Sequence, residues 1–283
     1  MSLKLALTRW IPDKLYLQLL FLRHFHCLIN FRDPKTFNEK LQWLKLYDRR
    51  PEYTRMVDKY EVKKYIAERI GEEYVIPTLG VWDTPEEIDF DALPDQFVLK
   101  WNHDSGSVVI CKDKAKLDRA AVIQKLQRGK KYSGFWYGRE WPYKNVRPRI
   151  LAEEYLEEPD TGELRDYKLM CFNGEVRCSF VCSNRFSNAG LNVTFYDRTW
   201  QVMPFERKYP ASKTPIPQPQ NYERMIALAE KLSKNFPFVR VDFYECRGKI
   251  YFGELTLYPG SGLEPFFPEE WDERLGALLT LPK

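Results

Sequence analysis

The sequence has little of what marks the commoner functional scaffolds. It has three histidines, none placed beside the weak pair Cys178 and Cys182, so that Cys-x3-Cys spacing is a poor zinc signature. Its six cysteines, Cys27, Cys111, Cys171, Cys178, Cys182 and Cys246, sit in a 283-residue chain that shows no signal peptide. They read as free thiols in a reducing cytoplasm rather than as a disulfide framework. No long apolar run is present: Leu15 to Phe31 comes nearest, but Arg23, His24 and His26 interrupt it. The G-x-x-x-x-G-K-[ST] phosphate loop and the G-x-G-x-x-G dinucleotide fingerprint are both missing. There is no internal repeat, no low-complexity tract and no nucleophilic triad. With 44 Lys and Arg against 40 Asp and Glu the net charge is only +4, too balanced for a dedicated nucleic-acid binder.

What remains is a globular composition, 44% hydrophobic and 30% charged, with a high aromatic content of 15%. The length suits one large domain or two intimate small ones. Residues 12–70 read as mostly helical, and Gly71 ends the last of those helices. Strand-like runs follow at Glu73–Val81, Phe97–Trp101, Val108–Cys111, Arg149–Leu156, Tyr167–Phe172, Glu175–Cys182 and Val193–Tyr196. Leu117–Leu126 and Asn221–Asn235 read as helices, and the proline-rich stretch Pro210–Gln220 as a loop. Phe238–Cys246 and Ile250–Thr256 form a hairpin around Arg247–Lys249. Antiparallel hairpins mixed with helices give an α+β class.

The last hairpin carries the densest chemistry. Residues two apart on a strand share a face, so Arg240 pairs with Asp242 and Glu254 with Thr256. A three-residue loop at Arg247–Lys249 would set Asp242 opposite Glu254. Two facing carboxylates repel unless a cation separates them, and hard oxygens suit Mg2+. The alternative is a solvent-facing strand with an ion pair, and both readings stand. In the first hairpin Lys100 ends an apolar strand, where a lysine is costly unless it meets an anion. The loop behind it, Asn102–Ser107, offers amides and hydroxyls for phosphate or is an ordinary turn, with His103 as a hydrogen bonder. Ile150–Leu156 is either a plain strand end or a linker whose backbone reads an adenine edge.

Taken in order, Asp58-Lys59, Phe97-Val98-Leu99-Lys100, Ala152-Glu153-Glu154-Tyr155-Leu156, Arg240-Val241-Asp242 and Glu254-Leu255-Thr256 resemble an ATP-grasp enzyme. The phrases Pro34-Lys35-Thr36-Phe37-Asn38-Glu39-Lys40-Leu41-Gln42-Trp43, Asp166-Tyr167-Lys168-Leu169 and Gly253-Glu254-Leu255-Thr256 resemble more closely the teichuronopeptide-biosynthesis (TupA-like) ATP-grasp family. The likeness runs from about Lys14 to Pro282 and tips the last hairpin toward a magnesium site.

The resemblance implies a two-lobed fold gripping ATP between antiparallel sheets. It divides the chain into a helical N-terminal segment at 1–57, a first lobe with a phosphate-flap hairpin at 58–150 and a C-terminal lobe with the metal site at 151–283. It implies that Lys59 and Lys100 contact phosphates, with Ser105, Gly106 and Ser107 closing over them. Glu154, Tyr155 and Leu156 would read the adenine and Asp166 the ribose. Asp242 and Glu254 would hold Mg2+, with Thr256 where an asparagine ligand is more usual, and Arg240 would stabilise the transferred phosphoryl or the acyl intermediate. The implied activity is a carboxylate–amine ligase working through an acylphosphate, amidating a uronic acid or amino-acid substituent in surface or capsular polysaccharide biosynthesis. The alternatives are a sugar or polyol kinase on the same fold, or a non-catalytic nucleotide-binding partner of a glycosyltransferase. The expected setting is cytoplasmic, with peripheral contact at the inner membrane face, and no nucleic-acid partner. The aromatics Phe135, Trp136, Tyr137, Trp141 and Tyr143 suit either sugar stacking or packing.

Overall fold

The computed structural model describes residues 8–104, 106–129, 134–158, 164–183 and 190–283. Ser105, expected in the phosphate flap, lies outside the described residues. In chain order the helices are α1 Asp13–Phe25, α2 Phe37–Tyr47, α3 Glu52–Val57, α4 Glu61–Ile70, α5 Arg119–Gly129, α6 Gly134–Gly138, α7 Tyr222–Ser233 and α8 Glu270–Leu278. The strands are β1 Thr78–Trp82, β2 Phe97–Trp101, β3 Val109–Cys111, β4 Ile150–Glu154, β5 Asp166–Phe172, β6 Glu175–Ser183, β7 Asn192–Asp197, β8 Glu206–Arg207, β9 Phe238–Cys246, β10 Lys249–Thr256 and β11 Phe266–Phe267. No helix among the described residues is long and apolar enough to cross a membrane.

The chain separates into two compact units: Met1–Arg9 with Arg50–Glu157, and Trp10–Arg49 with Glu158–Lys283. Of the four helices in the first 70 residues, α1 and α2 belong to the second unit and α3 and α4 to the first.

The first unit holds a four-stranded antiparallel sheet in the order β1-β4-β2-β3. Alternation along β2 decides its two faces. Phe97, Leu99 and Trp101 are fully buried in a core with Val122 and Leu126 of α5. The Trp101 indole donates to the Leu126 carbonyl at 2.8 Å and ties the helix to the sheet. Val98 and Lys100 take the other face by the strand's period of two. The helix α4 buries Val62, Ile66 and Ile70, one apolar stripe at helical spacing. Asp58 starts it by accepting from the Tyr60 amide at 2.8 Å and the Glu61 amide at 3.2 Å.

The second unit holds a five-stranded antiparallel sheet in the order β10-β9-β5-β6-β7. The helix α7 packs on it, burying Met225, Leu228, Ala229 and Leu232. A two-stranded ribbon joins β8 to β11. Phe37 at the start of α2 meets Phe172, Phe238 and Phe266 with ring centroids 4.9–6.3 Å apart. Thr36 opens α2 with a capping box, its hydroxyl accepting from the Glu39 amide at 3.1 Å. On α1, Leu17 and Phe21 are buried while Leu15, Leu19 and Leu22 are exposed.

Candidate active site

Each unit, taken by itself, holds a cluster of buried charged side chains. In the first unit Glu153, on the central strand β4, is 3% exposed. Its carboxylate lies between Lys63 at 2.7 Å and Lys100. Lys63 also donates to the Ile76 carbonyl and the Thr78 hydroxyl, each at 2.7 Å. Burial pushes the Glu153 carboxyl up, but the two lysines outweigh it and hold it below the usual range. Two lysines against one carboxylate leave this cluster net positive. Lys59 sits just before α4, its amide donating to the Asn102 carbonyl at 3.1 Å and its ammonium to the Asp104 carbonyl at 2.5 Å.

The loop after β2 is fixed by Asn102, whose side chain donates to Asp58 at 2.9 Å and to the Arg147 carbonyl at 2.8 Å and accepts from the Arg149 amide at 2.8 Å. His103 is buried in this loop, with its Nδ1 3.3 Å from the Asn102 side-chain oxygen. Ser107 is buried and its hydroxyl donates to the Asp104 carboxylate, whose buried Oδ1 has no partner among the described residues. Gly106 is exposed, and a Cβ there would meet nothing within 4 Å. Its place in the loop is therefore not a steric requirement.

Of the residues expected at the adenine, Glu154 and Tyr155 line a cavity of about 770 Å3 with Leu79, Gln96 and Lys112. Leu156 follows, half-buried. The Tyr155 hydroxyl donates to Glu157 at 2.8 Å, and Lys112 lies 5.5 Å from the Tyr155 ring centroid. Most of the aromatic cluster packs: Phe135 is buried, Trp136, Trp141 and Tyr143 are half-buried, and Tyr137 alone of the five is largely exposed.

In the second unit one face of the sheet gathers Asp166 and Lys168 from β5, Arg240 and Asp242 from β9, and Glu254 and Thr256 from β10. The register brings Lys168 and Glu254 to either side of Asp242, and Thr256 beside Arg240. The facing of Asp242 and Glu254 arises differently from the expectation. The β9–β10 turn has two residues, Arg247 and Gly248, with φ of 53° and 70°. That turn alone would set Asp242 against Gly253. A bulge between Phe252 and Glu254 moves the register by one and restores the carboxylate pair.

Arg240 grips Asp242 with both ends of its guanidinium, Nε to Oδ1 at 2.6 Å and Nη2 to Oδ2 at 2.7 Å. Lys168 donates to Asp242 at 2.5 Å and to Asp166. Arg240 Nη2 also lies 3.6 Å from Glu254. Burial pushes the Asp242 carboxyl up, but Arg240 and Lys168 hold it below its ordinary value. Asp166 moves the opposite way: burial raises it, Lys168 only partly offsets this, and the Asp242 charge adds to it.

The donor chemistry here fits a magnesium ion. Three carboxylates face two cations, leaving the set net negative when all are ionised. Each carboxylate oxygen accepts two bonds, so Oδ1 of Asp242 keeps one lone pair beyond Arg240. The Thr256 hydroxyl is buried and has no hydrogen-bond partner among the described residues. No three His, Cys, Asp or Glu side chains among the described residues form a cage of their own. Mg2+ characteristically takes one or two carboxylates and completes its shell with phosphates and water.

Sequence reading missed Lys63, Glu153 and Lys168. For Lys168 a signal was present, since Asp166 and Lys168 alternate on a strand as Arg240 and Asp242 do.

A TupA-like ATP-grasp family model matches residues 39–280. No curated protein matches. Among solved structures the chain is similar to D-alanine–D-alanine ligase from Helicobacter pylori, with a TM-score of 0.48 and 13% identity over 88% of this chain and 68% of that one. It is also similar to D-alanine–D-alanine ligase from Bacillus anthracis complexed with ATP, with a TM-score of 0.40 and 15% identity over 71% and 53%. A third is the ATP-grasp ligase PsnB complexed with minimal precursor, Mg and ADP, with a TM-score of 0.41 and 12% identity over 78% and 57%. The chain thus spans between about half and two-thirds of the length of these three structures. The family match, which covers most of the chain, carries the assignment: the chain belongs to the TupA-like ATP-grasp family.

Proposed function

We propose that this protein binds Mg-ATP and uses it to join a carboxylate to an amine. The observation that carries the reading is the pairing of Asp242 with Glu254 across β9 and β10, with Arg240 locked onto Asp242 beside them. The family match and the net positive cluster around Glu153 support it. In this reading the carboxylate oxygen of the acceptor attacks the γ-phosphorus, the bond to the β-phosphate oxygen breaks and ADP leaves. The amine nitrogen then attacks the acyl carbon of the acylphosphate, phosphate leaves with the C–O electrons, and the amine loses its proton.

The barrier to the first step is largely electrostatic, because anion approaches anion. Lys59 and Lys100 contact the phosphates. Lys63 keeps Glu153 neutralised when Lys100 turns to a phosphate. Arg240 commits Nε and Nη2 to Asp242, and its Nη1 donates to none of the described residues. That edge is offered to the transferred phosphoryl or to the acyl intermediate, and its bidentate anchoring limits the reorganisation needed. Mg2+, held by Asp242, Glu254 and Thr256, would neutralise phosphate oxygens. Glu154, Tyr155 and Leu156 are proposed at the adenine, and Gly106 and Ser107 beside the phosphates. Asp166 at the ribose would compete with its bond to Lys168.

The acceptor class proposed is a uronic acid carboxylate or an amino-acid substituent of a surface polysaccharide. The test is product identity after incubation with Mg-ATP, a hexuronic acid and an amino acid. An amide formed with stoichiometric ADP and phosphate is expected. A phosphoester with no phosphate released would overturn the ligase reading in favour of a kinase.

A further inference from the structure

The helix α2 buries a polar stripe where a packed helix ordinarily buries apolar side chains. Asn38, Gln42 and Lys45, at i, i+4 and i+7, are each 0% exposed. All three reach the chain that leaves β10. Gln42 donates to the Ser261 carbonyl at 2.9 Å and the Gly262 carbonyl at 2.7 Å. Lys45 donates to the Ser261 carbonyl at 2.7 Å, the Ser261 hydroxyl at 2.9 Å and the Gln42 side chain at 3.0 Å. Asn38 donates to the Glu264 carbonyl at 3.1 Å. From β8, the buried Arg207 donates to the Pro259 carbonyl at 2.7 Å. Four carbonyls of one short loop are thus drawn onto buried donors.

The loop they hold has an unusual backbone. Gly260, Ser261 and Gly262 have φ of 57°, 56° and 59°, a left-handed run that costs a non-glycine residue about 1–2 kcal/mol. A Cβ at Gly262 would lie 2.5 Å from the Gln42 amide nitrogen and 2.9 Å from Leu41 Cβ, so helix and loop are in direct contact. The run begins four residues beyond Thr256, the last residue of the strand that carries Glu254. Burying a lysine ammonium is costly, and apolar packing of the same volume often stabilises as well or better. The five bonds that Gln42 and Lys45 make to Ser261, Gly262 and each other instead fix one geometry.

We propose that Lys45, with Gln42, is a positioning residue that holds the Tyr258–Glu264 loop in its left-handed turn and so aligns the acceptor carboxylate beside the Asp242–Glu254 strand pair. This rests on the ligase reading above for the identity of what is aligned. The loop-bracing part rests on the geometry alone.

The test replaces Lys45 by methionine, which keeps the stem and removes the ammonium. Two measurements are made on the full chain. Hydrogen exchange of amides 258–264 is expected to speed up about tenfold or more, with β5 amides as protected as in wild type. With Mg-ATP, glucuronic acid and glycine, kcat over KM for glucuronic acid is expected to fall about tenfold while KM for ATP stays within about twofold. A merely structural role would move both KM values, or neither. Unchanged loop exchange overturns the proposal. So does faster exchange with unchanged glucuronic acid kinetics. If wild type turns over no glucuronic acid, the acceptor reading fails, and the exchange result alone decides whether Lys45 braces the loop. If Lys45→Met does not fold, Ser261→Ala removes only one acceptor of the ammonium and carries the same two measurements, with effects of about threefold expected in the same directions.

Discussion

Glu153 is held by two lysines that it alone does not fully neutralise, and its removal has a calculable consequence. Glu153→Gln would leave Lys63 and Lys100 buried without their shared anion, a change worth about 3–5 kcal/mol at neutral pH. Because the folded protein holds this carboxyl below its ordinary value of 4.5, its contribution is complete above that value. It is lost as pH falls below 4.5 through the folded-state value. Urea unfolding of wild type and variant should therefore differ most at pH 7 and converge as acid is added. A constant difference down to pH 3 would contradict the pairing. Lys100→Ala should keep its fold, because Lys63 still faces Glu153, yet lose ATP turnover. Asp242→Ala should lose turnover and also about 3–5 kcal/mol, since Arg240 and Lys168 lose their shared carboxylate. Wild-type turnover in either purified variant, with matched circular dichroism, would sink the site assignment. At this scale the sequence showed Lys100, Arg240, Asp242 and Glu254 because each interrupts an apolar strand. It did not distinguish Glu153 from Glu154, since alternation gives two faces without saying which is buried. What settles it is Lys63 from α4 and Lys100 from β2 meeting on the Glu153 face, while Glu154 is exposed at the strand end.

At the scale of elements the β9–β10 hairpin decides whether the two carboxylates meet. Gly248 has a φ of 70° in the turn, so Gly248→Ala should cost about 1–2 kcal/mol. Gly253 sits in the bulge, where a Cβ would lie 3.1 Å from the Tyr244 ring and 3.2 Å from the Asp242 carbonyl. Gly253→Val is expected to cost about 1–3 kcal/mol of stability by overpacking and to lower ATP turnover by displacing Asp242. Chemical unfolding read beside a turnover assay checks both, and full activity in Gly253→Val would show that the bulge does not position the carboxylate. Reading the sequence reached the right facing pair through two offsetting errors. The turn is one residue shorter than expected, and the bulge adds one back. Arg247 at φ 53° is a non-glycine residue in a left-handed turn, for which residue type gives weak warning. The bulge had a local signal in Gly253, a glycine inside an apolar strand where a bulge or a close backbone approach is common.

At the scale of the whole chain, element types were largely legible because apolar periodicity and glycine or proline breaks are local. Which unit each helix joins was not. The α2 stripe of Asn38, Gln42 and Lys45 looks like an ordinary solvated helix face until Ser261, Gly262 and Glu264, more than two hundred residues later, are seen to receive it. The central claim is that this chain binds Mg-ATP, and thermal unfolding with ATP, ADP and GTP, each with and without Mg2+, tests it most directly. At about a hundred times its dissociation constant a ligand of the folded state stabilises by about 2.7 kcal/mol. The account predicts a clear magnesium-dependent rise in Tm with the adenine nucleotides, abolished in Asp242→Ala. No rise with any nucleotide, or an equal rise in the presence of EDTA, would contradict it.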